Sequence, residues 1–196
     1  MVKPVSKSHA LNLRAKAGVD RLVLMTDRKR LPDPDRAIAK LPAGSIVILR
    51  DYDHPNRMEL AKRLRGICRN AGCWFLVAGD VRLARTVGAD GVHMPEYMLW
   101  NSPLNLNGFS LVSAACHNKQ ALWRAKTIGV DLAIVSPVFL TDSHPGASAL
   151  GIHRFARLVG GNKMAVAALG GVSKRTASRL RGIKLAAIAG ISRIAD

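Results

Sequence analysis

The sequence predicts a compact (β/α)8 barrel, in which a closed sheet of eight parallel strands is covered by helices. Eight short apolar runs recur along the 196 residues, and stretches with helical periodicity lie between most of them. Each run is too apolar to leave one face in water, which is typical of a parallel sheet covered on both sides. A doubly wound open sheet is the alternative, but a closed barrel explains the count of eight better.

The candidate strands are rich in Val, Ile, Leu and Ala. In chain order they read RLVLM, SIVILR, WFLVA, GVHM, FSLVSA, LAIVS, MAVAAL and LAAIA. Helix starts are indicated at Asp33-Pro34, at Asn118 and at Ser173, because these residues cap helices well. The stretch LWNSPLNLNG is too short and too rich in Pro and Asn for a full helix, so the barrel lacks one there.

We expect a single barrel domain over residues 21–196, preceded by an arm or an extra helix over residues 1–20. The N-terminal stretch carries basic residues but no continuous apolar core, so it is not typical of a secretory signal. About five residues follow the last strand, and the segment from Ser8 to Ala17 is a candidate to replace the missing last helix. No apolar stretch approaches the ~18 residues that span a membrane.

The composition is ordinary for a folded protein except for its charge. Lys and Arg number 30 against 13 Asp and Glu, which gives a net charge of +17. Such a field attracts nucleic acid, anionic membranes or phosphorylated metabolites. The cations are dispersed over several helices, and two Tyr, four Phe and three Trp supply few stacking partners for bases. A basic scaffold that binds nucleic acid is therefore the weaker alternative.

The three cysteines, Cys68, Cys73 and Cys116, are odd in number and lack the spacing of metal ligands. Each lies beside apolar neighbours. We expect small buried core residues in a reducing cytoplasm.

A glycine pair marks the candidate phosphate site. The active site of such a barrel lies at the carboxyl ends of its strands, and a phosphate pocket commonly follows strands seven and eight. Gly170 and Gly171 follow strand seven, and Gly190 follows strand eight. Backbone N–H groups at glycine approach an anion without obstruction from a side chain. A plain tight turn also explains a Gly-Gly pair, and the helix start at Ser173 adds to the anion-binding hypothesis.

His117, after strand five, is the best candidate for proton transfer, because an imidazole titrates near neutral pH. A loop residue beside the helix cap is its simpler explanation. Further candidates for binding the substrate are Arg50, His93, and Thr141 and His144 in the long loop 141–150. Arg50 is also explained by an ion pair with Asp51, and His93 by a hydrogen-bonded core histidine.

The runs LVLMTD, ADGVHMPE, SPVFLTDSHPGASALG and AVAALGGVSKRT, in this order and spacing, resemble the thiamine phosphate synthase/TenI family. These proteins are small TIM barrels of thiamine biosynthesis, and the resemblance extends from about Arg21 to Ile191. In the family, the glycine turn and the turn after strand eight hold a phosphate through their backbone. The resemblance therefore implies that Gly171 and Gly190 do so here.

Synthases of this family use Mg²⁺ bound by carboxylates after strands three and four, and this chain departs from that pattern. Ala78 and Gly79 stand where an Asn-Asp pair is expected, with Asp80 one residue later as a helix cap. Pro95 and Glu96 follow strand four. Synthases carry a Gln-x-Arg-x-Lys pattern after strand two, and only its arginine, Arg50, is kept here. His144 replaces the lysine that synthases have in the loop after strand six. The resemblance therefore implies no cofactor, and Mg²⁺ only if a local shift lets Asp80 or Glu96 serve a synthase.

These departures resemble the thiazole tautomerase branch, which moves a proton on a thiazole carboxylate phosphate without a metal. In that branch a histidine shortly after strand five is catalytic, and His117 has the matching position, with Ala115 in place of a neighbouring serine. We expect a cytoplasmic protein that binds a phosphorylated small molecule, with no membrane partner, and a homo-oligomer is compatible with the sequence. The remaining alternative is a ligand-binding or regulatory relative that has lost the chemistry.

Overall fold

Each of the eight apolar runs forms a strand in the computed structural model, which describes residues 21–101, 104–141 and 148–191. The strands are β1 Leu22–Met25, β2 Ile46–Leu49, β3 Trp74–Ala78, β4 Gly91–Met94, β5 Leu111–Cys116, β6 Leu132–Val135, β7 Ala165–Ala168 and β8 Ala187–Gly190. All neighbouring pairs are parallel, and β1 pairs with β8 as well as with β2, so the sheet is closed. The predicted (β/α)8 barrel is confirmed, and the open sheet is wrong.

Alternation along the strands separates two layers of core. In β2, Ile46 and Ile48 belong to the cluster inside the barrel, whereas Val47 and Leu49 pack outward against helices. All four are fully buried. Because both faces of the strand are covered, its sequence is a continuous apolar run instead of an apolar and polar alternation.

Helices cover the outside of the barrel. They are α1 Pro34–Ala39, α2 Arg57–Asn70, α3 Val81–Thr86, α4 Lys119–Thr127, α5 Gly151–Val159 and α6 Lys174–Ala177, with short 3-10 helices at Glu96–Trp100 and Ser178–Leu180. The predicted caps form: the side chain of Asp33 accepts the N–H of Arg36, and that of Asn118 accepts the N–H of Ala121. Between β4 and β5 only the first 3-10 helix is present among the described residues, as the Pro- and Asn-rich sequence predicts.

The three cysteines are free and buried, which confirms their expected place in the core. Burial raises the pKa of the Cys116 thiol to about 12 and that of the Cys68 thiol still further. Within the described ranges, no helix has the length and apolar character that crossing a bilayer requires. Residues 1–20, predicted as an arm or an extra helix, lie outside the described part of the chain.

Candidate functional site

A cavity of about 950 Å³ opens where β7 and β8 end. Its volume lies within the range of ~300–1,000 Å³ that is usual for small-molecule sites. Four of the predicted site residues line it: Gly170, Gly171, Gly190 and Thr141. The structure therefore brings together the glycines after both strands and the start of the long loop after β6.

The glycine pair is required by the protein's own packing. Gly170 and Gly171 have φ of +95° and +63°, a region that other residues rarely adopt. A Cβ on Gly170 would lie 2.8 Å from Cα of Pro137, and one on Gly171 would lie 2.4 Å from the carbonyl oxygen of Leu140. The segment that comes close to this backbone is thus the turn after β6. A tight turn packed against that segment explains why both positions are glycine.

The same turn leaves hydrogen-bond donors for a ligand. Among the described residues, the backbone N–H groups of Gly170, Gly171 and Val172 have no hydrogen-bond partner, while the carbonyl of Gly170 accepts the N–H of Phe139. All three donors belong to residues that line the cavity. Donors without a partner beside a cavity are what an anion site requires.

Three arginines that the sequence reasoning missed also line this cavity: Arg30, Arg175 and Arg179. Arg179 stacks on the ring of Phe139 at 5.0 Å, and Arg30 pairs with Asp27 at 2.6 Å. A signal was present, because Arg175 lies four residues after the glycine pair. The predicted helix start contributes less than expected: α6 has only four residues, so its dipole is small. The backbone N–H of Ser173 donates to Oγ1 of Thr176 at 2.9 Å.

The imidazole of His117 is held in a defined tautomer. Its Nδ1 lies 2.9 Å from the carbonyl oxygen and 3.2 Å from Oγ of Ser136. Because the shorter contact is to a carbonyl, which only accepts, we assign the proton to Nδ1. The lone pair is then on Nε2. The backbone N–H of His117 donates to the carboxylate of Glu96 at 2.6 Å, and that carboxylate also accepts from the side chain of Asn118. The residue is therefore fixed at its backbone and at its ring, while the side chain as a whole is exposed.

His93 is buried at the end of β4, only 2% exposed, and its Nδ1 lies 2.9 Å from Oγ of Ser113 on β5. Burial, followed by the positive charge of Arg50, lowers the pKa of His93 to about 3. The imidazole is therefore neutral at physiological pH. This arrangement agrees with the hydrogen-bonded core histidine that the sequence left open, with Arg50 as a charged neighbour.

Arg50 does not pair with Asp51 in the described set of salt bridges. The buried carboxylate of Asp51 accepts the hydroxyl of Thr26 and the backbone N–H of Arg28 instead. The N–H of Arg50 in turn donates to Oγ1 of Thr26 at 3.0 Å. This network joins the ends of β1 and β2, and the ion-pair explanation for Arg50 is wrong.

The residues after β3 do not fit a magnesium ion. Gly79, which stands in place of the expected carboxylate, has φ of +72°, and a Cβ there would lie 3.0 Å from the ring of Tyr52. That ring also lies 5.4 Å from the guanidinium of Arg57, which in turn donates to the carbonyl of Ala78 at 2.6 Å. An aromatic ring thus covers the position where a metal ligand would be needed.

The two nearby carboxylates, Asp80 and Glu96, already have hydrogen-bond partners. Asp80 caps α3 by accepting the N–H of Leu83 at 2.8 Å, and Glu96 accepts the two bonds from the loop after β5. In the described part of the chain, no three His, Cys, Asp or Glu side chains come together as a metal-binding group. A hard cation such as Mg²⁺ prefers several oxygen ligands, so this donor set does not fit it.

The candidate residues therefore form two groups. The cavity after β7 and β8 holds the glycines and Thr141, whereas Arg50, His93 and His117 are not among its described lining residues. His117 is connected to the cavity through its partner Ser136, two residues before the lining residue Val138. His144 lies outside the described residues.

Comparison with known proteins agrees with this geometry. The family model described as thiamine monophosphate synthase matches residues 22–194. A thiamine-phosphate synthase of Pyrococcus furiosus is 28% identical over 94% of this chain and 89% of its own length, and one of Lactococcus lactis is 29% identical over 74% and 69%. A solved thiamine phosphate pyrophosphorylase from Pyrococcus furiosus superposes with a TM-score of 0.75 at 26% identity, covering 89% of this chain and 87% of the other.

A KDPG aldolase from Legionella pneumophila, at 14% identity and a TM-score of 0.61 over 96% of this chain and 87% of its own, shares the fold alone. The match to the family model, by contrast, covers the barrel from its first strand to its last. The chain therefore belongs to the thiamine monophosphate synthase/TenI family, whose members act in thiamine biosynthesis.

Proposed function

We propose that this protein binds a thiazole phosphate and shifts a proton on its ring, as a tautomerase-type isomerase of thiamine biosynthesis. The phosphate would lie in the cavity after β7 and β8, against the N–H groups of Gly170 and Gly171, with Gly190 at the end of the neighbouring strand. The observation that carries the proposal is the fixed tautomer of His117, because it leaves a lone pair on Nε2 beside the same end of the barrel.

In the proposed reaction His117 acts as the general base. Nε2 takes a proton from the ring of the substrate, and the imidazolium that forms keeps its Nδ1–H bond to the carbonyl of Ser136. The same Nε2–H then returns the proton at the second ring position, so no atom is gained or lost. Anchoring the other ring nitrogen in this way orients the base.

The synthase reaction is the weaker candidate for this chain. Departure of a pyrophosphate needs a metal or several cations to take up the developing charge. Tyr52 covers Gly79 after β3, and the carboxylates of Asp80 and Glu96 are occupied. A proton shift needs only an acid–base group and an anion pocket, which these residues can supply.

We further propose a cytoplasmic protein whose partner is a phosphorylated small molecule. Free, buried cysteines agree with a reducing compartment. The cavity offers no described carboxylate to repel a phosphate, since its charged lining consists of Arg30, Arg175 and Arg179.

The test is an NMR assay of interconversion between thiazole carboxylate phosphate tautomers. Exchange of His117 for Gln should lower the rate by about 100-fold or more, because a positioned acid–base group contributes 10²–10⁴-fold. His153→Gln, an exposed histidine on α5, is the matched control and should leave the rate unchanged. Equal rates for the His117 and His153 variants would exclude His117 as the base. Ligand-induced stabilisation without turnover would instead favour the binding relative that has lost the chemistry.

A further inference from the structure

Three exposed aromatic side chains lie on the outside of the barrel, where the 3-10 helix after β4 packs beside α4. Tyr97 and Trp123 are each 64% exposed, and Trp100 is 55% exposed. Tyr97 and Trp100 are three residues apart in the 3-10 helix, so their side chains lie one above the other on the same side. Large exposed aromatic side chains that gather in one place mark an interaction surface.

A hydrogen bond joins the two elements that carry these rings. Nε of Arg124 on α4 donates to the carbonyl oxygen of Leu99 at 2.8 Å. Trp100 directly follows Leu99 in the chain, and Trp123 directly precedes Arg124. Beneath this bond, Leu99 and Leu122 belong to the same buried core cluster. The two indole rings therefore belong to adjoining parts of the surface, on a backbone that the core holds in place.

The surroundings of the rings are positively charged. Lys119 is four residues before Trp123 and Lys126 is three residues after it, so both cations lie on the same exposed side of α4. Neither lysine, nor Arg124, forms an ion pair within the described ranges. The sequence has no Asp or Glu over residues 97–130. We call the surface formed by the two lysines and the three rings the aromatic face.

The carboxylates at either end of this acid-free stretch already have hydrogen-bond partners. Glu96 accepts the backbone N–H of His117 and the side-chain amide of Asn118. Asp131 accepts the backbone N–H of Val112 at 2.8 Å. The aromatic face therefore fits an anionic partner. A second copy of this chain does not fit, because its own aromatic face would bring like charges together.

We infer that the aromatic face binds single-stranded nucleic acid. The face of any base stacks on a tryptophan or a tyrosine, and the phosphates attract the lysines. A double strand buries the faces of its bases, so it cannot use the rings in this way. The chain has few aromatic residues, but three of them are in one place. No residue of the aromatic face lines the cavity after β7 and β8, so this binding goes beyond the proposed function.

Fluorescence anisotropy of short labelled oligo(dT) and oligo(U), titrated with the full chain at physiological salt, tests the inference. The two oligonucleotides separate DNA from RNA, and binding of either supports the inference. Trp100→Ala and Trp123→Ala should each weaken binding at least about fivefold, because each removes a ring on which a base stacks. Met58→Ala, which truncates an exposed apolar side chain on α2, is the matched control and should leave the affinity unchanged.

The salt dependence separates stacking from charge. Lys126→Gln should reduce the slope of log affinity against log salt by about 0.7, as expected for the loss of one phosphate contact on a single strand. The tryptophan variants should lower the affinity without changing this slope. Arg69→Gln removes an equal charge from the last turn of α2 and should leave the slope unchanged.

Three results would overturn the inference. Equal affinity for a duplex of the same length would show that the overall charge of +17 attracts the strand. Losses at Trp100 and Trp123 no larger than the loss at Met58 would exclude stacking on the aromatic face. If no oligonucleotide binds, but vesicles of anionic phospholipid bind and the tryptophan variants lose that binding, the partner is a membrane surface. The tautomer assay does not depend on any of these results.

Discussion

Protonation of His93 should couple the stability of the barrel to pH. The side chain is 2% exposed, and burial together with the charge of Arg50 lowers its pKa from an ordinary 6.5 to about 3. Above pH 6.5 the imidazole is neutral in both the folded and the unfolded chain. Below pH 6.5, the unfolded chain binds a proton at His93 that the folded chain does not bind. The free energy of unfolding therefore decreases by about 1.4 kcal/mol per pH unit.

Exchange of His93 for Gln removes this titration, while an amide remains to bond with Ser113. From pH 7 to pH 4.5, the His93 contribution to the unmodified chain should fall by about 2.5 kcal/mol, and the variant should not show this loss. The free energy of unfolding of the variant is therefore lower than that of the unmodified chain at pH 7, and the difference between the two decreases as the pH falls.

Urea unfolding at several pH values between 7 and 4.5, followed by circular dichroism, measures the difference. His153→Gln, exposed on α5, is the control, and its curve should run parallel to that of the unmodified chain. If the His93 curve runs parallel as well, the buried imidazole carries its proton in the folded state and the reasoning is refuted.

Two further predictions concern packing. Gly171→Ala should lower the free energy of unfolding by about 2–4 kcal/mol, because the new methyl group overlaps the carbonyl of Leu140 in addition to the cost of a positive φ. Gly161→Ala, with φ of +71° and open space around it, should cost only about 1 kcal/mol, and an equal loss at both positions would contradict the packing argument. The thiols of Cys68 and Cys116, whose pKa values are raised by burial, should react with a disulfide reagent only after unfolding. Rapid modification of the native chain would show that these side chains are accessible.

The barrel could be predicted from the sequence because its signals are local. A strand buried on both faces is a continuous apolar run, as in Ile46–Leu49, and a capping residue such as Asn118 marks the start of the next helix. The glycines after β7 and β8 were found for a similar reason, since their place in the order of elements sets their place at the mouth of the barrel.

The rest of the site depends on contacts between distant parts of the chain. That Ser136 fixes the tautomer of His117, or that Tyr52 covers Gly79, follows from side chains that meet across loops. The anion expected at the glycine pair stays a prediction, and the segment that comes close to this backbone in the structure is the turn after β6. Arg179 lines the cavity after β7 and β8 with its guanidinium stacked on Phe139, and no spacing in the sequence shows that stacking.

The ring of Tyr52 also limits how this barrel can change its chemistry. Replacing Gly79 by Asp would not restore a metal ligand in one step, because the backbone there has φ of +72° and the new Cβ would meet the aromatic ring at 3.0 Å. The ring is in turn held beside Arg57, whose guanidinium bonds to the carbonyl of Ala78. A carboxylate ligand at this position would thus require concerted replacement at two loops, and Gly79→Asp alone should lower stability before it supplied a ligand.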